Sequence, residues 1–196
     1  MCGRYYIEPD EQPGYLNLML SQIEQRYHGS EALAAMRLGE VLPSHVAPVI
    51  ARDGAQLMKW GYTGYKNRVI NARSETAFEK PMFRGSMAAR RCLIPASGYY
   101  EWQRTESGAK TKRKYAFYRP GQPLYMAGLW REEKGEPLPL FVILTRAAAP
   151  EMADIHDRMP VILPETQIVA WLMSPAPEAV MDQALLSLEH QPVQEV

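Results

Sequence analysis

The residue best suited to covalent chemistry in this chain is Cys2, which follows the initiator methionine and precedes Gly3 and Arg4. Methionine aminopeptidases remove Met1 when the second side chain is small, so the processed chain is expected to carry an amine and a thiol on one residue. The thiolate is nucleophilic and an α-amino group has a pKa of about 7.7–8.0, so both groups can react near neutral pH. An aldehyde that meets this pair can form an imine with the amine and then a five-membered thiazolidine with the sulfur.

Proton transfer during such a reaction requires a histidine, or a carboxylate whose pKa burial has raised. The candidates are His156, next to Asp157 and Arg158, and Glu101, between Tyr100 and Trp102. Each has a structural alternative. A glutamate between two aromatics is often the solvent-facing residue of a strand, a histidine beside an aspartate is often a surface pair, and Cys2 can be a small residue buried in an N-terminal strand.

Composition restricts the class of protein. The chain has 196 residues, of which 46% are hydrophobic, and its 22 basic residues balance its 22 acidic ones. This length predicts one globular domain over residues 1–196, and the charge balance means that any anion site must be a local patch. Without a signal peptide or an apolar run of about 20 residues, a cytoplasmic protein with no membrane contact is expected. In a reducing cytoplasm no disulfide between Cys2 and Cys92 is expected. The two cysteines also lack the paired spacing of a zinc site, so no metal cofactor is predicted.

The hydrophobic pattern predicts an α+β protein with helices around a mainly antiparallel, curved or barrel-like sheet. Asp53-Gly54 is a strong hairpin signal, Ser74 could cap a short helix, and 105–114 form a polar loop. Predicted strands cover 3–7, 46–51, 56–62, 92–94, 98–103, 115–118, 124–130 and 140–145, and predicted helices cover 13–28, 147–153, 165–173 and 177–188.

Five blocks of sequence, in order, resemble the SOS response-associated peptidase (SRAP) family of abasic-site shielding proteins. The resemblance covers residues 2–163. The blocks are Cys2-Gly3-Arg4; Trp60-Gly61; Asn71-Ala72-Arg73 with Glu75-Thr76; Arg91 to Pro95 running into Tyr100-Glu101-Trp102; and Ile155 to Leu163.

The resemblance implies a covalent trap for abasic sites in single-stranded DNA that forms without a cofactor. Cys2 would join the open-chain aldehyde of the abasic sugar through its amine and sulfur. His156 would act mainly in opening the sugar, and Glu101 would transfer protons around the amine. Asn71 would hold the Cys2 amine or a sugar hydroxyl without adding charge. The resemblance also implies a role in the DNA damage (SOS) response, in which the protein shields the lesion. When bound to DNA, the protein would be located on the nucleoid.

DNA contacts are expected beside these residues. Guanidinium groups suit bidentate binding of phosphate, and tryptophans can stack on bases or be buried in the core. Further arginines, Arg84, Arg90 and Arg91, could extend a basic track. The resemblance adds Pro43 and Thr145, which match family positions that line the groove. The predicted DNA-binding residues are Arg4, Pro43, Trp60, Arg73, Arg84, Trp102, Thr145 and Arg158.

Two other functions remain open from the sequence. An N-terminal cysteine can be the nucleophile of a peptidase or amidohydrolase, with its own amine as base, and a limited self-processing step or an abasic-site lyase activity could accompany crosslinking. A non-catalytic single-strand binder would tolerate replacement of Cys2 and would depend on salt. A monomer is expected, and the partner that would recruit it to a replication fork is unknown.

Overall fold

The computed structural model describes residues 2–8, 15–103 and 113–193 of the chain. Strands in these residues are β1 (Arg4–Ile7), β2 (Gly39–Val41), β3 (Val46–Ala51), β4 (Gly54–Trp60), β5 (Asn71–Arg73), β6 (Arg91–Ala96), β7 (Gly98–Trp102), β8 (Lys114–Tyr118), β9 (Leu124–Arg131), β10 (Leu140–Ala147), β11 (Arg158–Pro160), β12 (Ile162–Leu163) and β13 (Glu189–Pro192). Helices are α1 (Tyr15–Tyr27), α2 (Glu31–Ala35), α3 (Ser74–Ala77), α4 (Pro81–Ala89), α5 (Pro150–Ala153), α6 (Ile168–Met173), preceded by a 3-10 turn (Glu165–Gln167), and α7 (Pro177–Met181). No helix among these residues is long and apolar enough to cross a membrane.

The larger sheet has eight strands and closes on itself. Antiparallel pairs join β4 to β3, β3 to β6, β6 to β9 and β9 to β10, and a parallel pair between β10 and β4 completes the ring. Strand β5 also runs parallel to β10, with Asn71 opposite Ile143. Because nearly every residue of β3, β6 and β10 is buried, the ring is a packed core. The predicted α+β class with a barrel-like, mainly antiparallel sheet is confirmed.

The smaller sheet has five strands in the order β13-β8-β7-β1-β2. Strand β1 lies inside it, antiparallel to both neighbours, with Tyr5 opposite Val41 of β2 and Tyr99 of β7. Side chains alternate across a strand, so Tyr5 and Ile7 are buried while Arg4 and Tyr6 are only half-buried. The first strand therefore holds the segment around Cys2 in a fixed place.

Several elements differ in position or length from their predictions. The hairpin turn is Arg52-Asp53, and Gly54 starts the second strand at a φ of 106°, which glycine adopts readily. The cap of α3 is Arg73 rather than Ser74, and it makes no side-chain cap hydrogen bond. Residues 147–149 are not helical because β10 runs through Ala147. The predicted helix 177–188 ends at Met181. Residues 13–14 of the first predicted helix and 105–112 of the predicted polar loop lie outside the described part.

Arg91 is a structural residue, so its assignment to a basic track is wrong. Only 7% of it is exposed. Its Nε donates to the Trp171 carbonyl at 2.6 Å, and its two terminal nitrogens donate to the carbonyls of Met87 at 2.7 Å and Ser174 at 2.6 Å. These carbonyls belong to the ends of α4 and α6, where backbone acceptors lack helical partners and a cation is favoured. The planar guanidinium satisfies both helix ends at once.

Replacing Arg91 with lysine should therefore lower the free energy of unfolding by about 2 kcal/mol, because an ammonium cannot reach all three buried carbonyls. Urea unfolding measures this difference. Arg90→Lys, at the exposed neighbouring position, is the control and should change stability by less than about 0.5 kcal/mol. Equal effects of the two substitutions would contradict the assignment.

Candidate active site

Cys2 is held at the start of β1 by an amide from another sheet. Asn71 Nδ2 donates to the Cys2 carbonyl oxygen at 2.8 Å, and Cys2 Sγ donates weakly to the Arg4 carbonyl oxygen at 3.7 Å. Asn71 is the first residue of β5, so its pairing with β10 fixes the amide. Asn71 Oδ1 is buried and has no hydrogen-bond partner in the described residues. It is therefore an acceptor available to a ligand hydroxyl or an amine.

The Cys2 thiol is fully buried in this structure. Burial raises its pKa well above the usual range, and the Glu101 carboxylate raises the pKa further. The thiol is therefore neutral at physiological pH, so it needs a base to take its proton when the sulfur forms a bond. The effect of Glu101 on this pKa indicates that its carboxylate lies near the Cys2 thiol.

Glu101 points to the interior and not to solvent. In β7, Tyr99 and Glu101 are buried whereas Tyr100 and Trp102 are half-buried, as expected from strand alternation. Only 4% of Glu101 is exposed. Burial raises the pKa of its carboxyl, and the charge of Asp157 adds to the increase. A carboxyl in this environment is suited to both accept and donate a proton near neutral pH.

His156 lies close to Glu101, with its Nε2 4.0 Å from Glu101 Oε2. Its Nδ1 accepts from the Arg158 backbone N–H at 3.0 Å, which places the proton of the neutral imidazole on Nε2, toward Glu101. Asp157 Oδ1 lies 3.1 Å from the same Nδ1 and stabilises the ring when it is doubly protonated. The predicted catalytic residues Cys2, Asn71, Glu101 and His156 are thus brought together from four separate segments.

Arg158 is already engaged by protein groups. It makes a bidentate pair with Glu75, at 2.6 and 2.8 Å, and donates to the Thr145 carbonyl oxygen at 2.6 Å. The hydrogen bonds to Arg158 lower the pKa of Glu75 to about 2. A phosphate would have to compete with this carboxylate for the guanidinium. The neighbouring Thr145 side chain is fully buried.

Other cationic and aromatic groups surround the site. Arg4 lies over the Trp102 ring, with Cζ 5.2 Å from the ring centroid. Arg73 and Arg84 are exposed and Pro43 is half-exposed. A groove of about 810 Å³ begins at Asn71 and Arg73 and continues past Lys80 to Arg131. Sequence analysis missed Lys80, which lies in no recognisable block. It also missed Arg131, whose guanidinium is bound to Glu133 at 2.6 and 2.8 Å.

The family model for the SOS response associated peptidase (SRAP) matches residues 1–195, well beyond the five blocks that carry the resemblance. The chain belongs to the SRAP family. The Abasic site processing protein YoqW of Bacillus subtilis is 36% identical over 191 residues, covering 88% of this chain and 80% of the relative. The Abasic site processing protein YedK of Escherichia coli is 31% identical over 190 residues, covering 88% and 79%.

Solved structures show the same fold as this SRAP chain. A phage-related protein of Bordetella bronchiseptica superposes with a TM-score of 0.73 at 26% identity, covering 99% of this chain and 95% of that one. A protein of Bacteroides thetaiotaomicron superposes with a TM-score of 0.72 at 22% identity, covering 98% and 92%.

Two residues predicted to contact DNA are buried in this SRAP chain. Trp60 is fully buried. Its ring stacks on Phe141 at 6.2 Å between centroids, and its Nε1 donates to the Ile70 carbonyl oxygen at 3.0 Å. Trp60 is therefore a core residue that cannot stack on a base in this structure. Thr145 is likewise fully buried, and its carbonyl oxygen accepts a hydrogen bond from Arg158 at 2.6 Å.

The Arg158–Glu75 pair predicts a pH-dependent contribution to stability. Because the pKa of Glu75 falls from 4.5 to about 2 in the fold, its contribution is present above pH 4.5 and is lost as the pH falls through about 2. Glu75→Gln should lower the free energy of unfolding at pH 7 by about 1 kcal/mol, a value reduced by the half-exposure of Glu75. Denaturant unfolding at pH 7 and pH 2 tests this; a difference that persists at pH 2 would contradict it.

Proposed function

We propose that this protein processes abasic sites in DNA by trapping the sugar aldehyde in a thiazolidine crosslink with Cys2, after Met1 has been removed. The observation that carries the proposal is the convergence of an N-terminal cysteine with a buried glutamate and a histidine that face each other at 4.0 Å. The names of its relatives, abasic site processing proteins, support the same substrate. Because Met1 holds the Cys2 nitrogen as an amide, its removal is a required first step.

Opening of the sugar is the first chemical step. The abasic deoxyribose is mostly a closed hemiacetal, and opening it requires one proton to reach the ring oxygen and another to leave the hydroxyl. Doubly protonated His156, with Asp157 Oδ1 3.1 Å from its Nδ1, can deliver its Nε2 proton and become neutral, while the Glu101 carboxylate accepts one. The two groups then exchange a proton to restore their starting states, so the pair is unchanged after the step.

Bond formation at Cys2 completes the trap. The amine adds to the aldehyde carbon, and the carbinolamine loses water with a proton supplied by Glu101. The sulfur then adds to the imine carbon, and the thiol proton is transferred to the nitrogen, with Glu101 as the relay. One water is lost in total. Asn71 supports these steps by fixing the Cys2 carbonyl at 2.8 Å and by offering its buried Oδ1 to the amine or a sugar hydroxyl.

Single-stranded DNA is the form that suits this site. The reacting groups are buried, so the lesion must leave a base stack to reach them, which costs least when no partner strand is present. Arg4 and Arg73 lie beside Cys2 and Asn71 along the chain, and Arg73 and Lys80 line a groove that adds a local cationic path. A local path of this kind is sufficient for strand binding although the whole chain has no net charge.

The proposal predicts a covalent product between the Met1-processed protein and a single strand with one abasic site. Denaturing electrophoresis and intact mass should show an adduct of protein plus DNA less one water. Cys2→Ala should abolish it, and Cys92→Ala, which removes the other buried thiol, should retain it. If the processed wild type gives no adduct, the trap is refuted and hydrolysis of peptide or amide bonds by the Cys2 thiol becomes the function to test. Cleaved DNA would reveal a lyase side reaction.

A second prediction concerns Glu101. Glu101→Gln should slow crosslinking at saturating DNA by about 100-fold or more, while Glu165→Gln, at an exposed position, should not.

Because the pKa of Glu101 is raised in the fold, the wild type loses stability as the pH rises through the unfolded and then the folded pKa of this group. The stability of Glu101→Gln relative to wild type should therefore increase from pH 4 to pH 8 in denaturant unfolding. A slow variant without this pH trend would contradict the buried carboxyl as the proton carrier.

A further inference from the structure

The outward face of the five-stranded sheet carries an aromatic groove, on the face of β7 opposite to that of the buried Glu101. Tyr6 of β1, Tyr100 of β7 and Tyr118 of β8 lie on three neighbouring strands and remain half-exposed. Together with Gln191 and Pro192 of β13 they line a groove of about 570 Å³. We infer that this groove binds single-stranded DNA next to the lesion by stacking bases on the tyrosine rings, beyond the contact expected at Trp102.

Small residues form the floor of the groove. Gly98 lies opposite Tyr6 in one pair and opposite Tyr118 in the other, and Ala116 lies opposite Tyr100. A Cβ atom at Gly98 would collide with the Tyr6 hydroxyl and with the Phe117 carbonyl oxygen. The Tyr6 side chain therefore lies across the strand at Gly98, and its ring centroid is 4.9 Å from that of Tyr100. Gly98 thus makes room for the Tyr6 ring, whereas Ala116 lines the groove itself.

Positively charged side chains lie at one end of this groove. Lys114 Nζ lies 3.8 Å from the centroid of the Tyr100 ring and 5.7 Å from that of Trp102. Glu40 binds both Lys114 and Arg4, each at 3.1 Å. The two cations exceed the one carboxylate, and they lie at the end of the groove nearest Cys2. Glu8 lines the opposite end, so a phosphate backbone is attracted toward the active site and not away from it.

A single strand is the occupant that best matches this chemistry. Rings displayed on adjacent strands of an antiparallel sheet are a geometry on which successive bases stack, without regard to sequence. Cross-strand aromatic pairs also stabilise a sheet, but that role alone would not require a groove with a floor of small residues and a cationic end. The position next to the lesion depends on the proposed function, whereas strand binding itself does not.

The binding test uses DNA without an abasic site and the Cys2→Ala protein, so that no crosslink contributes. Fluorescence anisotropy with a labelled single strand should show Kd raised about tenfold by Tyr100→Ala or Tyr6→Ala. Tyr100→Phe, which keeps the ring, should stay within about twofold. Tyr65→Ala removes a ring that is 99% exposed in another segment and is the matched control. Lys114→Gln should reduce the salt dependence of log Kd by about 0.7.

A direct measurement covers the case in which an alanine variant does not fold. Single strands with 5-iodouracil are irradiated with the Cys2→Ala protein, and peptide mass spectrometry should locate crosslinks at Tyr6, Tyr100 or Tyr118. Crosslinks confined to other peptides, or an unchanged Kd in the tyrosine variants, would overturn the inference. If abasic DNA gives no adduct with wild type while the tyrosines still bind the strand, only the proposed trap fails.

Discussion

The antiparallel pairing of β1 with both β2 and β7 fixes a chain terminus that would otherwise fray. With Arg4 opposite Tyr100 and Tyr5 opposite Tyr99, the segment around Cys2 has one position relative to Glu101 on the same pair of strands. The Asn71 amide adds a second attachment from the ring sheet. A nucleophile at the start of a chain needs such restraint, because a reactive pair must be held in one geometry for its steps to follow each other.

Burial sets the chemistry of the site in two opposite ways. It raises the pKa of the Cys2 thiol and of the Glu101 carboxyl, so both groups keep their protons more readily than in water. A neutral thiol is a weaker nucleophile than a thiolate, but a carboxyl with a raised pKa is a better proton carrier. The proposed reaction requires proton transfers at several steps, and His156 and Glu101 lie close enough to share them.

The two proposed paths for DNA use different forces because the chain has no net charge to attract it. The groove at Arg73 and Lys80 provides cations, whereas the groove at Tyr6, Tyr100 and Tyr118 provides rings, with cations at one end. Two other arginines stabilise the fold. Arg91 joins two helix ends and Arg158 is bound to Glu75, so a count of basic residues near the five sequence blocks overstates the surface available to phosphate.

The sequence by itself determined the family, the α+β class, most strands and the four residues of the candidate site, because a terminal cysteine, strand alternation and hairpin dipeptides are local signals. It named Trp60 as a DNA contact while leaving a core position open, and it offered Arg91 for a basic track; both are buried. Residue type does not reveal which face of a strand meets the core, since that depends on partners far along the chain, such as Phe141 for Trp60. The short strands β2 and β13, the pairing of β5 with β10 and the outward groove were decided only by tertiary structure, because each exists through a neighbour supplied by another segment.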